Sequence, residues 1–427
     1  MEQHNRAALD RYGILDRYVA YNARRRGVLG RLMLGLKRAA AAGGGALVTA
    51  IGRSHARTGS ARCDVLFIHG WVGGPTRVAA LERELAGRGL SVQHHVRAGR
   101  GVRLLRRWLA PPSHWVPSRW RLETHYGAYL LERYSPKVVA CFEYYSPLLS
   151  CLRLASGGRA TVVNIAHSVV PPGDDANMFD ADYYFVLGAS SVEQARRKAI
   201  RIGATRVVPA GYFMIDRDLQ IPPSPDRRTL VFFSQLSEEL FASGHVAPET
   251  RARVVRNTLV VLEFARRHPD FQLLIKPHPL EDIRRTATLV GATTNVRILN
   301  KGVGMKEALT PAAAAIVMWS NAALEAAVAR RPLIVVDDSS TTDEYLELER
   351  YFGSRVRTSE ELAARLAALF RSYDSFVQQC NAFVARHLAR TAEGVGYLGD
   401  CLARLARGER IDEGYEFPEE LGGLSVK

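Results

Sequence analysis

The chain has 427 residues, which is enough for two domains of ordinary size, each with its own hydrophobic core. Hydrophobic residues make up 47% of it and charged residues 24%, as is ordinary for a soluble globular enzyme. Its formal charge is +15, and only seven of its 58 basic residues are lysines. That charge indicates either a surface attracted to anionic lipid, nucleic acid or an acidic polymer, or base-composition drift in a GC-rich genome.

The sequence excludes several classes of protein. The early charged residues are not followed by a long apolar stretch, so no signal peptide is expected. Every strongly apolar window contains Arg, Lys or His within about twenty residues, so no transmembrane helix is expected. The five cysteines are scattered and lack a close metal-type spacing, which favours a reduced cytoplasm.

Residues 1–45 form an N-terminal segment. The pattern of residues 1–41 predicts a basic amphipathic helix. Arginines at 24–26 precede apolar residues at helical spacing, and glycines at 43–45 end the pattern. Such a helix lies either on an anionic bilayer or against the domain that follows it.

Residues 46–222 predict an N-terminal Rossmann-like domain, in which short apolar strands alternate with helices. We expect strands at 65–69, 91–96, 137–142, 160–166, 183–187 and 206–209, and helices at 75–88, 120–134, 145–155 and 190–203. The stretch Pro222-Pro223-Ser224-Pro225-Asp226 then suits an interdomain hinge.

Residues 223–410 predict a second domain of the same type, followed by a poorly ordered acidic tail at 411–427. Strands are expected at 229–234, 271–276, 296–299, 315–319 and 333–337, and helices at 249–267, 280–290, 304–309, 321–330, 358–371 and 374–406. The fold class is therefore α/β, with two doubly wound Rossmann-like domains facing across a cleft, an N-terminal helix and C-terminal helices.

The segment Lys276-Pro277-His278-Pro279 is the most informative site candidate. It ends an apolar run, and its two prolines hold the lysine and the imidazole at the carboxyl end of a strand. Ligands bind at that edge of open α/β sheets, and a helical pattern from residue 280 follows at once. A cation and an imidazole ahead of a helix N-terminus suit a phosphate or diphosphate.

Two strand ends of the first domain carry further candidates. His69, Gly70, Gly73 and Gly74 follow the first strand, where glycines either let backbone amides approach a bound group or form a tight turn. A His-Gly pair after an early strand also occurs in the oxyanion hole of α/β-hydrolases. That fold needs a Gly-x-Ser-x-Gly elbow as well, and the sequence has none.

His167 ends another strand, where a histidine either deprotonates a hydroxyl nucleophile or bonds to the backbone of its loop. Glu143 is a rival base, because it also follows a strand.

In the second domain, Ser320 and Asn321 lie between a strand and a helix of small residues. They suit an N-cap, a phosphate site, or both together.

These pieces occur in an order that resembles GT-B-fold transferases of bacterial surface polymers. The similarity is to the CDP-glycerol/teichoic-acid glycerophosphotransferases and the capsule-type glycosyltransferases, and it covers roughly residues 160–350. The matching segments are Ile165-Ala166-His167-Ser168, 184–188, 211–216, 230–234, Lys276-Pro277-His278-Pro279, Trp319-Ser320-Asn321 and 331–334.

The resemblance implies that His167 is the acceptor-activating base, that His278 contacts the donor phosphate and that Ser320 belongs to a phosphate-binding turn. Lys276, Asn321, Ser234 and Glu325 complete the expected donor-binding set. His167-Ser168 replaces the usual His-Gly, and Met318-Trp319-Ser320-Asn321 replaces Asp-Tyr-Ser-Ser, which favours a nucleotide-sugar donor over CDP-glycerol.

We therefore expect a transferase that moves a group from a nucleotide-activated sugar or polyol donor to a hydroxyl of a cell-surface glycan or glycolipid. No cofactor, no metal and no specific nucleic-acid partner are expected. The expected location is cytoplasmic, with the inner face of the cell membrane and its anionic surface as a further partner. A GT-B-fold nucleotide-sugar 2-epimerase and a non-catalytic polyanion-binding protein are the alternatives.

Overall fold

The computed structural model describes residues 10, 12–16, 61–70, 77–96, 116–142, 147–169, 178–197, 200–201, 203–215, 218–222, 226–236, 248–279, 281–338 and 346–418. The chain divides into two compact units. Unit 1 comprises Met1–Met214 and Glu393–Lys427, and unit 2 comprises Ile215–Ala392.

Unit 1 contains a seven-stranded sheet in the order β14-β8-β6-β4-β3-β1-β2, parallel except for β14. Its strands are β1 (Val65–His69), β2 (Val92–Val96), β3 (Val138–Cys141), β4 (Thr161–Ile165), β6 (Tyr183–Val186), β8 (Thr205–Pro209) and β14 (Tyr415–Phe417), and β5 (Met178–Phe179) pairs with β7 (Ile200–Arg201). Its helices are α1 (Ala79–Gly87), α2 (Ser118–Tyr134), α3 (Pro147–Ser156), α4 (Ala189–Arg197) and α12 (Gly394–Ala406).

Helices cover both faces of this sheet, so β1 and β3 carry apolar side chains on both faces instead of alternating apolar and polar ones. Val65 and Phe67 enter one core cluster, in which residues of α1 and α12 meet. Leu66 and Ile68 point to the other face and enter a second cluster with residues of α2 and α3.

Unit 2 contains a five-stranded parallel sheet in the order β11-β10-β9-β12-β13, which is the strand arrangement of a Rossmann-like half. Its strands are β9 (Thr229–Phe233), β10 (Gln272–Lys276), β11 (Val296–Ile298), β12 (Ala314–Val317) and β13 (Leu333–Val335). Its helices are α5 (Pro248–Arg267), α6 (Ile283–Val290), α7 (Met305–Leu309), α8 (Ala322–Val328), α9 (Leu348–Phe352), α10 (Ser359–Arg371) and α11 (Tyr373–His387).

The C-terminal part of the chain differs from the sequence-based expectation. The continuous helix expected at 374–406 is two helices, because the backbone becomes extended at Leu388. The second of them, α12, belongs to unit 1 and not to the domain expected at 223–410. Its apolar residues Leu398 and Leu402 join the core beside Leu81 and Leu85 of α1, so burial of this face explains the return.

The tail expected to be disordered from residue 411 contains the edge strand β14. Phe417 is buried, and β14 pairs antiparallel with β8. Gly414 makes this approach possible, since it has a φ of +98° and an added Cβ would lie 2.4 Å from the Val207 carbonyl oxygen. The unit boundary lies between residues 214 and 215, ahead of the proline-rich stretch at 222–226.

Only residues 10 and 12–16 of the N-terminal segment are described, and they are helical. The buried Tyr12 side chain shares a hydrogen bond of 2.8 Å with the Thr124 hydroxyl of α2. Asp16 pairs with Arg119 and accepts a 3.1 Å hydrogen bond from Trp120 Nε1. This short part therefore packs against α2 within unit 1, whereas the basic cluster at 24–26 lies outside the described residues.

Within the described ranges, no helix combines the length and the apolar character needed to cross a membrane. The five cysteines all lie in those ranges, are buried and form no disulfide.

Candidate functional site

The carboxyl edge of the unit 2 sheet gathers the expected donor-binding residues. The strand order reverses between β9 and β12, and open parallel sheets bind ligands outside the strand ends at that point. Three turns leave the sheet there, at residues 234–236 after β9, 276–279 after β10 and 318–321 after β12.

Lys276 is the last residue of β10, and it is a buried cation with a relative exposure of 9%. Its ammonium donates a 3.2 Å hydrogen bond to the carbonyl oxygen of Lys301. Burial lowers the pKa of Lys276, while the negative charge of Glu325 on α8 opposes that shift. Among the described residues no carboxylate forms an ion pair with this ammonium, so an anionic ligand would compensate its desolvation.

The turn that follows Lys276 is held by Glu281, a residue that the sequence analysis did not select. Its carboxylate accepts 3.2 Å hydrogen bonds from the backbone N–H groups of His278 and Leu236. It also accepts hydrogen bonds from the Ser234 and Thr286 hydroxyl groups. Pro277 is buried, while the His278 side chain keeps an intermediate exposure.

Ser234 was expected to contact the donor, but its hydroxyl lies 2.7 Å from Glu281 Oε2 and is buried. This geometry favours a supporting role for Ser234. The signal that could have found Glu281 is its spacing, because a carboxylate three residues after His278 closes a turn in which Glu281 N donates to the His278 carbonyl at 2.9 Å.

The helix expected to start at residue 280 starts at Ile283 instead. Asp282 is its N-cap, and its side chain accepts a hydrogen bond of 3.1 Å from the backbone N–H of Arg284. A carboxylate thus occupies the N-terminus that the sequence analysis had offered to a phosphate beside Lys276.

Ser320 and Asn321 lie in the turn between β12 and α8. The Ser320 hydroxyl accepts a 3.2 Å hydrogen bond from the backbone N–H of Ala322, so Ser320 partly caps this helix. Asn321 occupies the N-cap position and makes no side-chain cap hydrogen bond. Both side chains are partly exposed at the edge where Lys276 ends β10.

Trp319 connects this turn to its neighbours. Its carbonyl oxygen accepts a 3.0 Å hydrogen bond from Gln235 Nε2, which links the turns after β9 and β12. The guanidinium of Arg253 on α5 lies 4.2 Å from the centre of the Trp319 ring and 3.7 Å from Asp337. Arg253 is therefore a second cation at this edge, and the sequence analysis did not select it.

In unit 1, His167 follows β4, and its Nδ1 lies 2.6 Å from the carbonyl oxygen of Phe142. A carbonyl oxygen only accepts, so Nδ1 carries the proton and Nε2 carries the lone pair of the neutral ring. Burial lowers the pKa of His167, the bond to Phe142 opposes that shift, and the charge of Arg77 adds to it. A neutral imidazole with this tautomer can accept a proton near neutral pH.

His69 ends β1 beside the same aromatic residue. It is 2% exposed, its ring stacks on Phe142 at 5.5 Å, and its Nε2 lies 3.0 Å from Nδ1 of His94. Burial, followed by the charges of His94 and His95, lowers the pKa of His69 to about 4. This burial favours support of the Phe142 strand end over direct contact with an acceptor.

The expected site residues therefore fall at two sheet edges. Unit 2 carries Lys276, His278, Ser234, Ser320, Asn321 and Glu325, and unit 1 carries His69, Gly70 and His167. Glu143, Gly73 and Gly74 lie outside the described residues. In the described part of the chain, no three His, Cys, Asp or Glu side chains are arranged to hold a metal ion.

The fold is similar to those of several solved protein structures. UDP-GlcNAc 2-epimerase from Neisseria meningitidis, bound to UDP-GlcNAc, has a TM-score of 0.51 at 12% identity, over 81% of this chain and 100% of that one. S. aureus MnaA in complex with UDP has a TM-score of 0.53 at 12% identity, over 82% and 99% of the two chains. The glycotransferase of kitacinnamycin has a TM-score of 0.51 at 15% identity, over 81% and 99%.

No protein-family model matches the chain, and none of the curated proteins matches it in sequence. At identities of 12% to 15%, the similar structures establish the fold alone. The chain has the α/β GT-B fold with two Rossmann-like domains, and the expected resemblance to GT-B enzymes is confirmed at that level.

Proposed function

We propose that this protein is a transferase whose unit 2 binds the phosphate groups of a nucleotide-activated donor. The observation that carries the proposal is Lys276, a buried cation at a ligand-binding sheet edge with no ion-paired carboxylate among the described residues. His278 and Ser320 present polar side chains at the same edge. Such groups stabilise the negative charge that develops on a leaving phosphate.

In the proposed reaction, His167 Nε2 takes the proton from an acceptor hydroxyl. The acceptor oxygen then bonds to the transferred group, and the bond from that group to the nucleotide phosphate breaks. The leaving phosphate keeps the electron pair, and Lys276 and His278 stabilise it. The depressed pKa of His167 supports this role because it keeps the ring neutral at physiological pH. Glu143 remains the rival base.

The comparisons support a nucleotide-activated donor, because two of the similar structures contain UDP or UDP-GlcNAc. The acceptor we propose is a hydroxyl of a cell-surface glycan or glycolipid, on the basis of the resemblance of residues 160–350. An association of the N-terminal segment with the anionic inner face of the membrane belongs to the same proposal.

A screen of nucleotides by thermal shift tests donor binding. A ligand that binds only the folded state raises the melting temperature, so at least one of the UDP, CMP, CDP or GDP compounds should do so. His278→Ala should lose this shift. His268→Ala, which removes an imidazole stacked on Phe264 elsewhere in unit 2, should keep it. A wild type that responds to no nucleotide would contradict the proposal.

A 2-epimerase is the second candidate, since one of the similar structures is a UDP-GlcNAc 2-epimerase bound to UDP-GlcNAc. An epimerase converts its nucleotide sugar without any acceptor, whereas a transferase consumes it only when a hydroxyl acceptor is present. Incubation of the protein with the shifting nucleotide sugar alone, followed by NMR of the sugar, separates the two. A polyanion-binding protein would instead bind nucleic acid in a salt-sensitive manner and show no turnover.

A further inference from the structure

A single carboxylate lies at the centre of the contacts behind the Lys276–Pro279 turn. Glu281 has a relative exposure of 0%. An enclosed carboxylate is costly unless hydrogen-bond donors surround it. Four donor groups of unit 2 point at this one, so its burial is compensated within the unit.

The four donors come from three separate parts of unit 2. Ser234 and Leu236 belong to the turn after β9, His278 to the turn after β10, and Thr286 to α6. Oε2 accepts from the two backbone N–H groups at 3.2 Å each, and Oε1 accepts from the Thr286 hydroxyl. The carboxylate therefore joins two adjacent strand ends to the first turns of the following helix.

The bond to the His278 backbone has a consequence for ligand binding. That N–H group donates to Glu281, so it faces the interior of the unit and not the sheet edge. Pro277 and Pro279, which flank His278, have no N–H group to donate. Among the described residues 277–279, the backbone therefore leaves no N–H group for an anion at the sheet edge, and the side chains of Lys276 and His278 are what the turn offers there.

We propose that Glu281 is a positioning residue, which locks the turn so that the His278 imidazole, and not its backbone amide, meets the donor phosphate. The identity of the ligand as a phosphate rests on the proposed function, but the locking of the turn does not. Glu281 acts through His278 and touches no substrate.

Three substitutions separate this role from general stability. In Glu281→Gln, the amide oxygen can accept from the two backbone N–H groups while the NH₂ group donates to the Thr286 hydroxyl, so the turn is kept. Glu281→Ala removes the acceptor for both backbone groups. Thr286→Val removes one donor on the α6 side and leaves the bond to His278 intact, so it controls for lost stability.

The test measures UDP and inorganic pyrophosphate binding by calorimetry in the full-length protein. We expect the affinity of Glu281→Gln to stay within about threefold of wild type. Glu281→Ala should bind at least about thirtyfold more weakly, which corresponds to the loss of the contact between the His278 imidazole and the phosphate. Thr286→Val should lower the melting temperature and keep wild-type affinity. Equal losses in Thr286→Val and Glu281→Ala would show a merely structural role and overturn the proposal.

Amide hydrogen exchange of His278 gives a readout that needs no ligand. We expect at least a tenfold faster exchange of this amide in Glu281→Ala than in wild type or Glu281→Gln, with protection of β9 retained. Unchanged exchange in Glu281→Ala would overturn the locking of the turn. If wild type binds neither pyrophosphate nor any of the UDP, CMP, CDP and GDP compounds, the phosphate assignment of the proposed function fails, and the exchange experiment still decides the role of Glu281.

Discussion

The carboxyl edges of the two sheets each carry a histidine on a short turn after a strand, yet they hold it by different chemistry. In unit 1, His167 bonds to a backbone carbonyl, and the neighbouring His69 is enclosed by an aromatic ring and a second imidazole. In unit 2, a buried carboxylate binds the His278 backbone, and a buried lysine lies two residues earlier.

The two edges therefore suit different chemical tasks. The unit 1 edge is built from groups that must be neutral to be buried, because the pKa of His69 falls to about 4 and that of His167 is also lowered. Such an edge suits proton transfer. The unit 2 edge instead carries the amine of Lys276 and hydrogen-bonded turns, which suit recognition of an anion.

The largest expected effect comes from His167→Asn. Asparagine can still donate to the Phe142 carbonyl but cannot accept a proton as imidazole does, so kcat should fall about 10³-fold with little change in donor KM. The wild-type kcat/KM should decline only below about pH 6.5, because the neutral form persists below the usual pKa of histidine. Initial rates from pH 5 to 8 measure both effects. A larger loss in Glu143→Gln would transfer the base role to Glu143.

Lys276→Met should have the next largest effect and should concern unit 2 alone. Methionine keeps much of the apolar stem but loses the ammonium, so affinity for a nucleoside diphosphate should fall about 100-fold. The melting temperature without ligand should stay equal or rise, because the change removes a buried cation that forms no ion pair with a carboxylate of the described residues. Lys301→Met, at an exposed lysine, is the control and should leave binding unchanged. Equal affinity of Lys276→Met and wild type would remove Lys276 from the anion site.

Acid should destabilise unit 1 through its buried imidazoles. For a histidine with a folded pKa of about 4 and an unfolded pKa near 6.5, the unfolded state binds more protons between those values, so stability is lost as the pH falls through this window. From pH 7 to 5 the loss is about 2 kcal/mol for each such histidine.

His125 of α2 allows a clean test of that sign. Burial lowers its pKa to about 4, and neither ring nitrogen has a hydrogen-bond partner among the described residues. His125→Leu should add about 1 kcal/mol of stability at pH 7 and a further 2 kcal/mol at pH 5. Urea unfolding at both pH values measures the two gains, and a variant with the same pH dependence as wild type would contradict them.

The smallest expected effect concerns the contact between Arg253 and Trp319. Arg253→Lys keeps the charge but loses the planar stacking, so unfolding should become easier by less than about 1 kcal/mol. Arg251→Lys, an exposed neighbour on α5, is the control. Urea unfolding followed by tryptophan fluorescence checks this, and a loss well above 1 kcal/mol would indicate a further role for the guanidinium.

The apolar runs and the residues that end them made the strands and their carboxyl edges predictable. Lys276 and His167 could be located because each follows a run of buried strand residues. Glu281 was missed, because its hydroxyl partner Ser234 lies 47 residues away and a carboxylate in a helical pattern is usually a solvated side chain. Its spacing from His278 was the one signal that pointed to it. The burial of His69 likewise depends on His94, from another strand.

The C-terminal elements were less predictable for a different reason. The amphipathic pattern of α12 shows that one face is buried but does not show which sheet buries it. The edge strand β14 is only three residues long and includes the exposed Tyr415 and Glu416, so no periodicity could reveal it. Its pairing depends on the free edge that β8 provides.

The return of α12 and β14 to unit 1 has a consequence for biosynthesis. Unit 2 is an uninterrupted stretch that is complete once residue 392 has been made, whereas unit 1 needs residues from both ends of the chain. During synthesis from the N-terminus, unit 2 can close its core first. The apolar face of the unit 1 sheet that α12 covers stays exposed until residues 394–406 have been made. Chains truncated near residue 392 should therefore fail to fold in unit 1, although residues 1–214 of that unit are all present.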